Sequence, residues 1–279
     1  MKPNLFLTIF GHINRDIILR VPKIPQKGSI NVLRREECCG GTAYNMAMVA
    51  SILGIPTNVY SSVGNNLKDC VENLAKAGVD TSGINIVDKD GPYCYILDDG
   101  EEQVAAIYQG PMENPKFCIR QLGKWVHFYT GPPEIYLEIA EKIDAKISLD
   151  PGQEVHYRYD KEILEKFSQI AEILFCNKWE YEYISKMLGK LNFPTVIVTL
   201  GKDGCMLIAQ GKKVKIPSRK VGTIAKTVGA GDAFRAGFYL ALYRGYGYED
   251  ACRIAVDTAS KYIEGKLNRN IIFSSFSFS

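Results

Sequence analysis

Thr227-Val228-Gly229-Ala230-Gly231-Asp232-Ala233-Phe234-Arg235-Ala236-Gly237-Phe238 is the stretch on which the reading of this chain turns. Three small residues precede an acid, and a helix begins there. Ala233, Gly237, Leu240 and Ala241 give that helix one small, apolar face. Glycines let neighbouring backbone N–H groups converge with no Cβ in the way. At a helix N-terminus such groups, with the helix dipole, bind anions. A carboxylate beside them can take a proton from a hydroxyl while the N–H groups stabilise a transferring phosphoryl group. The same residues also describe an Asp N-cap after a Gly-rich turn. No Gly-Lys-Ser/Thr follows, so this is not a Walker A loop.

Outward from this stretch, short β-like runs alternate with helical patterns. Leu5–Phe10, Asn58–Val63, Val126–Tyr129, Lys146–Leu149, Ile173–Cys176 and Thr195–Leu200 read as strands. Several are near-continuous apolar runs, as expected when both sheet faces are covered. Met46, Val49, Ala50 and Leu53 fall at helical spacing, as do Ile135–Ile143 and Ile163–Ile170. This is the pattern of an α/β fold with a parallel sheet between helices. Two segments break it: 17–35, extended with Pro22, Pro25 and Gly28, and 92–108, which reads as a hairpin. They can pair into a small separate sheet, as a lid or as a mere edge.

Three further segments carry polar groups at element ends. Gly40-Gly41-Thr42-Ala43-Tyr44-Asn45 runs into a helix and suits close approach of a polyol, or is a plain helix start. Asn177-Lys178-Trp179-Glu180 follows a strand, where open α/β sheets place ligand groups. That Asn and Glu can hold water around Mg²⁺, or simply start a surface helix. Thr199-Leu200-Gly201-Lys202-Asp203-Gly204 is a tight hairpin or a nucleotide-contacting loop.

Composition sets the outer bounds. The 279 residues include 34 Lys+Arg and 31 Asp+Glu, a net charge of +3 that excludes a strongly basic nucleic-acid binder. With 46% hydrophobic and 23% charged residues, wholesale disorder is excluded too. A chain of this length buries roughly three quarters of its unfolded surface and needs no disulfide or metal to fold. One unit over residues 1–279 is expected. No apolar run approaches the roughly 20 residues of a membrane helix. Leu5–Phe10 is too short for a signal-peptide core, which makes the cytoplasm the expected location. The eight cysteines form no C-x-x-C pair and are expected to be reduced and largely buried. His12, His127 and His156 lack ligand spacing, so no structural zinc is expected. The tail Phe273–Ser279 has no capping signal and is expected to fray.

In this order, Gly40-Gly41-x-x-x-Asn45, Asn177-x-x-Glu180, Thr199-Leu200-Gly201-x-x-Gly204 and Gly229-Ala230-Gly231-Asp232 resemble the signatures of the ribokinase, or PfkB carbohydrate-kinase, family. Gly11–Asp16 fits where that family places a substrate-binding Asp, and the resemblance spans residues 5–265. Leu149–Gln153, Phe175–Glu180, Gly231–Phe238 and Val126–Glu134 further resemble archaeal nucleoside kinases and bacterial-type adenosine kinases. The resemblance implies a three-layer α/β/α domain with a mainly parallel sheet, and a small β-sheet lid made of 17–35 and 92–108. It implies Asp232 as the base and Gly229, Ala230 and Gly231 as the anion hole. The acceptor would be held by Asp16, Asn14, Gly40, Gly41, Asn45, Gln109 and Asp150. The nucleotide would lie along Asn177, Thr199, Gly201, Gly204, Thr227, Gly229 and Gly231, with Asn177 and Glu180 ordering Mg²⁺ through water. The implied activity is Mg²⁺-dependent transfer from ATP (or ADP or another nucleotide) to the 5′-hydroxyl of a nucleoside. A kinase of free or phosphorylated sugars and a silent ligand-binding homologue are the alternatives. A homodimer paired through the lid is implied, with neither nucleic acid nor membrane as partner.

The chain departs from the family pattern at Lys226, where an acid is usual, and at Asn66 and Lys68, where an acid and a glycine are common. No adenine-pocket signature follows residue 250. For a nucleobase, Tyr93, Tyr95, Tyr108 and the turn Gln109–Met112 offer an aromatic slot; for a sugar phosphate, Lys27, Arg34 and Arg35 offer cations.

Overall fold

In the computed structural model, residues 4–222, 224–225 and 227–267 are described. Lys226 and the Phe273–Ser279 tail therefore lie outside the described residues. The chain opens with β1 (Leu7–Phe10), β2 (Asn14–Arg20), β3 (Arg34–Gly40), α1 (Thr42–Ile52), β4 (Thr57–Gly64), α2 (Lys68–Lys76) and β5 (Asp80–Val87). The hairpin β6 (Tyr93–Asp98) and β7 (Gln103–Tyr108) follows, then β8 (Trp125–Phe128), α3 (Pro133–Ala140), β9 (Lys146–Leu149), α4 (Val155–Arg158) and α5 (Lys161–Ile170). The last part holds β10 (Ile173–Asn177), α6 (Lys178–Leu188), β11 (Thr195–Thr199), β12 (Cys205–Ala209), β13 (Lys212–Ile216), α7 (Ala230–Tyr243) and α8 (Tyr248–Ile263).

The large sheet runs β13-β12-β11-β10-β9-β8-β1-β4-β5. It is parallel from β5 to β11, and β12 and β13 add an antiparallel edge. The strand pleat sorts side chains to two faces. Leu7, Ile9, Ile173 and Phe175 join the core beneath α1, α2, α7 and α8. Phe10, Phe128, Leu174 and Cys176 join the one beneath α3, α4, α5 and α6. The three-layer expectation holds. The small apolar face of α7 serves close helix packing: a Cβ on Gly237 would collide with Thr258 of α8.

The second sheet, β3-β2-β6-β7, matches the expected small sheet with shifted limits. The 92–108 hairpin forms as read. The other pair is Asn14–Arg20 with Arg34–Gly40, so much of 17–35 is the connection between two strands. Pro22 and Pro25 have no N–H to donate, which ends the ladder there. As a result Asn14 and Asp16, placed after the first strand by sequence, lie on a strand of the small sheet.

The expectation of reduced, mostly buried thiols is corrected at several positions. Cys39 on β3 and Cys70 on α2 are joined by a disulfide, and Cys38 and Cys118 are exposed. Cys94, Cys176, Cys205 and Cys252 are buried free thiols as expected. The bridge fastens the base of the small sheet to the large domain, beside an Arg15–Asp69 ion pair at 2.6 Å. Closing a loop with a sequence separation of 31 restricts the unfolded chain. Reduction with a dithiol should therefore lower stability by about 2–4 kcal/mol. Thermal melts with and without reductant check this, and an unchanged melting temperature would mean the cross-link contributes nothing.

Candidate active site

The site forms where α7 begins, at the carboxyl ends of the parallel strands. Gly229 adopts φ +83°, and a Cβ there would also meet the Tyr262 hydroxyl, so a side chain is refused on two counts. No side chain caps α7. Asp232 is thus not the N-cap that its sequence also allowed. Its carboxylate instead accepts the Tyr129 hydroxyl at 2.6 Å and the Asn45 amide at 3.0 Å. The Ala230 N–H turns back to Thr227 O at 3.2 Å. The N–H groups of Gly231 and Asp232, in the first turn, have no carbonyl of their own helix to bond.

Two cavities meet at this helix start. One, about 290 Å³, is lined by Asn14, Asp16, Gly41, Thr42, Asn45 and Asp232, with Cys94, Ile96, Gln103, Ala105 and Ile107 of the small sheet above them. The other, about 150 Å³, is lined by Thr199, Gly201, Gly204, Ala230 and Gly231, with Phe234, Val256, Ala259 and Ile263 forming an apolar wall. Val256, Ala259 and Ile263 belong to α8 and lie in a segment with no adenine-pocket signature.

The glycines before α1 have specific reasons. Gly41 sits at φ +94°, and a Cβ would press on the His12 backbone carbonyl. At Gly40, which β2–β3 pairing sets opposite Asn14, a Cβ would occupy the space of the Asp16 carboxylate. Asp16 Oδ1 and Asn14 Oδ1 are buried at the cavity wall without a hydrogen-bond partner, a position that suits ligand hydroxyls. Burial, reinforced by Asp232, pushes the Asp16 carboxyl up to about 7. Burial raises Asp232 to about 6, moderated by Tyr129, Arg235 and Asn45 and raised further by Asp150.

Other expected site residues are placed differently. Asp150, expected on the acceptor, has no exposure and does not line the cavity of about 290 Å³; its Oδ2 accepts Arg235 Nε at 2.6 Å. Gln109 lies at the cavity's edge, bonding His12 and, at 2.6 Å, Glu154. Asn177 and Glu180 close a capping box on α6, with Asn177 N to Glu180 Oε2 at 2.7 Å and Glu180 N to Asn177 Oδ1 at 2.9 Å. Glu180 is nonetheless buried, and burial with Asp150 nearby raises it to about 7. The tyrosines proposed as a base slot lie on the wrong face. In β6 and β7 the alternate residues Cys94, Ile96, Ala105 and Ile107 line the cavity, while Tyr95 and Tyr108 are exposed on the other side. A one-residue parity decides this, and no feature of the hairpin sequence reports it. His12, Tyr129, Thr130, Glu154 and Arg235 were not assigned to the site from sequence; each is hydrogen-bonded to partners distant in sequence.

The sequence profile of the pfkB family carbohydrate kinases matches residues 4–271. The chain belongs to that family. The kinase is 42% identical over 242 residues to a nucleoside kinase of Thermoplasma acidophilum, covering 85% of this chain and 82% of that one. It is similar to the crystal structure of the Methanocaldococcus jannaschii nucleoside kinase, with 30% identity, a TM-score of 0.85 and coverage of 97% and 94%. It is 29% identical to an ATP-dependent ribose-1-phosphate kinase of Halopiger xanaduensis, covering 82% of this chain and 81% of that one. Among the described residues, no helix is long and apolar enough to cross a membrane.

Asp16 predicts a trade between stability and binding. Its folded carboxyl binds a proton up to about pH 7, whereas an unfolded one releases it near 3.8. Between those values the folded state holds more protons, so this group's contribution to stability falls as pH rises. Asp16→Asn, which removes the charge and keeps the shape, should raise the melting temperature at alkaline pH. The gain should fade as pH falls through 7 towards 4. A melting temperature lowered at alkaline pH would contradict the burial argument.

Proposed function

We propose that this kinase phosphorylates the 5′-hydroxyl of a nucleoside, with Asp232 as general base. The observation that carries the choice of acceptor is the charge of the acceptor cavity. Its described lining includes Asp16, Glu154 and Asp232 but no Lys or Arg. A sugar phosphate would bring negative charge among carboxylates. Arg34 and Arg35, its expected cations, are exposed and pair with Glu36 and Glu37 of their own strand. A neutral acceptor with neighbouring hydroxyls suits Asp16, Asn14 and Asn45. Beyond it, sharing Ala105, Ile107 and Gln153 as a wall, opens a second cavity of about 700 Å³ bordered by Gln109, His156, Tyr157 and Arg158, the last ion-paired with Glu113 and Glu154, with room for a base. Similarity to archaeal nucleoside kinases supports the same acceptor.

The step balances simply. The acceptor's proton passes to Asp232, its oxygen bonds the terminal phosphorus, and the bond from that phosphorus to the bridging oxygen breaks. The N–H groups of Gly231 and Asp232 face the anionic group, and positioning does most of the work in such a transfer. Thr199, Gly201 and Gly204 hold the nucleotide, ATP by analogy with the family, whose base would meet Phe234, Val256, Ala259 and Ile263. Mg²⁺ fits the buried Glu180 and its partner Asn177 as holders of its water shell. Each Glu180 oxygen bonds once within the capping box, to the backbone N–H or side-chain amide of Asn177, and can accept a water proton besides. When bound, the ion neutralises charge on the donor phosphates.

The small sheet acts as the lid, excluding water from the donor. Its outer face exposes Tyr95, Val104 and Tyr108, and we place a second copy of the chain against it.

A coupled assay with Mg²⁺, ATP or ADP, and a panel of nucleosides, ribose, fructose and ribose 1-phosphate tests the acceptor. Turnover with nucleosides but not sugars is expected, whereas turnover confined to ribose 1-phosphate would overturn the cavity-charge argument. Asp232→Asn should lower turnover by a factor on the order of 10² or more with folding intact. Unchanged turnover would remove Asp232 from the role of base.

A further inference from the structure

Arg235 lies three residues beyond Asp232 on α7 and is 5% exposed. A buried guanidinium has to be paired and hydrogen-bonded on its donor edges. Its Nε donates to Asp150 Oδ2 at 2.6 Å, and its Nη1 donates to Gly231 O at 3.1 Å. Its Cζ lies 5.8 Å from the ring centroids of both Tyr129 and Phe175. A Cβ on Gly231 would come within 3.0 Å of Nη1, so the glycine and the arginine fit each other. In a trans peptide the C=O and N–H point in opposite directions. Holding the Gly231 carbonyl down therefore aims the Asp232 N–H out of the helix start, between the two cavities.

We propose that Arg235 is a positioning residue for phosphoryl transfer, locking the Gly231–Asp232 peptide to the end of β9 so that anion cradle and base keep one geometry. The proposal rests on Asp232 being the base. It also assigns Arg235 an electrostatic part. The groups that face Asp232 are Arg235 on its own helix, Tyr129 after β8, Asn45 on α1, Asp150 after β9, Asp16 on β2 and Tyr262 on α8. Against the carboxylates of Asp150 and Asp16, the guanidinium favours the ionised, proton-accepting form of Asp232.

Two variants of the full-length kinase separate the parts. Arg235→Lys keeps a cation and loses the two-pronged grip. The double variant Asp150→Asn/Arg235→Met removes the cation without stranding a buried carboxylate. Each is assayed for kcat and KM across pH and for ADP affinity by calorimetry. The double variant should lose kcat by a factor on the order of 10², comparable with loss of one oxyanion-hole donor. The acid limb of its kcat/KM profile should still move up, because Arg235 lowers Asp232 more than Asp150 raises it, so that losing both leaves a net upward shift. Arg235→Lys should lose kcat while its acid limb stays in place, and ADP affinity should hold in both. A kcat within about twofold of wild type in both variants, where an oxyanion-hole loss is far larger, would overturn the proposal. So would an unmoved acid limb in the double variant with kcat and ADP affinity falling together, the signature of packing alone. Wild-type turnover in Asp232→Asn would instead overturn the reading of Asp232, which an inert Arg235 beside an inactive Asp232→Asn would leave standing.

Discussion

A carboxylate removed from water keeps its charge only where the surroundings supply what water supplied. Asp232 is such a group, and its two donors come from separate parts of the chain: Tyr129 just after β8 and Asn45 in the first turn of α1. The third stabilising partner, Arg235, is itself held by Asp150 at the end of β9. The position of this one acid thus depends on β8, β9, α1 and α7 docking together. Parallel strands make that possible because their carboxyl ends lie on one side of the sheet, so residues far apart in sequence meet there. The geometry of the site is therefore a property of the whole sheet, and a local loop could not supply it.

Close packing then decides where small residues must stand. Gly237 lets α8 approach α7, which brings Val256, Ala259 and Ile263 to the smaller cavity at the start of α7. Gly40 leaves room for the Asp16 carboxylate, and Gly41 lets the backbone turn over His12 into α1. Each glycine removes a side chain where two functional surfaces have to come within contact distance. The small sheet stands on the same junction, since Gly40 ends β3 and the Cys39–Cys70 bridge anchors it one residue earlier.

What the sequence made legible follows from the range of the interactions. Alternating apolar runs announced the three layers, because the pleat and the helical turn are local periodicities. Gly229–Asp232 and Gly40–Asn45 stood out because backbone freedom and helix starts are also local. The partners were illegible: nothing near Asp232 names Tyr129, and nothing near Asp16 explains Gly40. Tyr93, Tyr95 and Tyr108 show the failure of composition without parity, since an aromatic-rich hairpin turned its rings outward and lined the cavity with Cys94, Ile96 and Ala105. The cysteines show the same limit, as spacing along the chain carries no sign that Cys39 and Cys70 face each other across β3 and α2.

The two carboxylates at helix starts make an instructive contrast. Glu180 closes a capping box and serves its own helix, while Asp232 leaves the cap of α7 empty and turns to Tyr129 and Asn45. An uncapped helix start keeps its N–H groups available to an anion, which a capping side chain would have consumed. On the proposed reading, the field then changes character across a few ångströms. On the donor side lie N–H groups and a helix dipole; on the acceptor side lie Asp16, Glu154 and Asp232. A phosphoryl group moving towards the acceptor would meet growing repulsion from Asp232. The proton that Asp232 takes from the attacking hydroxyl removes that repulsion in the same step. Proton uptake and phosphoryl arrival are in this way electrostatically coupled, and a buried, partly stabilised carboxylate is the kind of group that can respond to both.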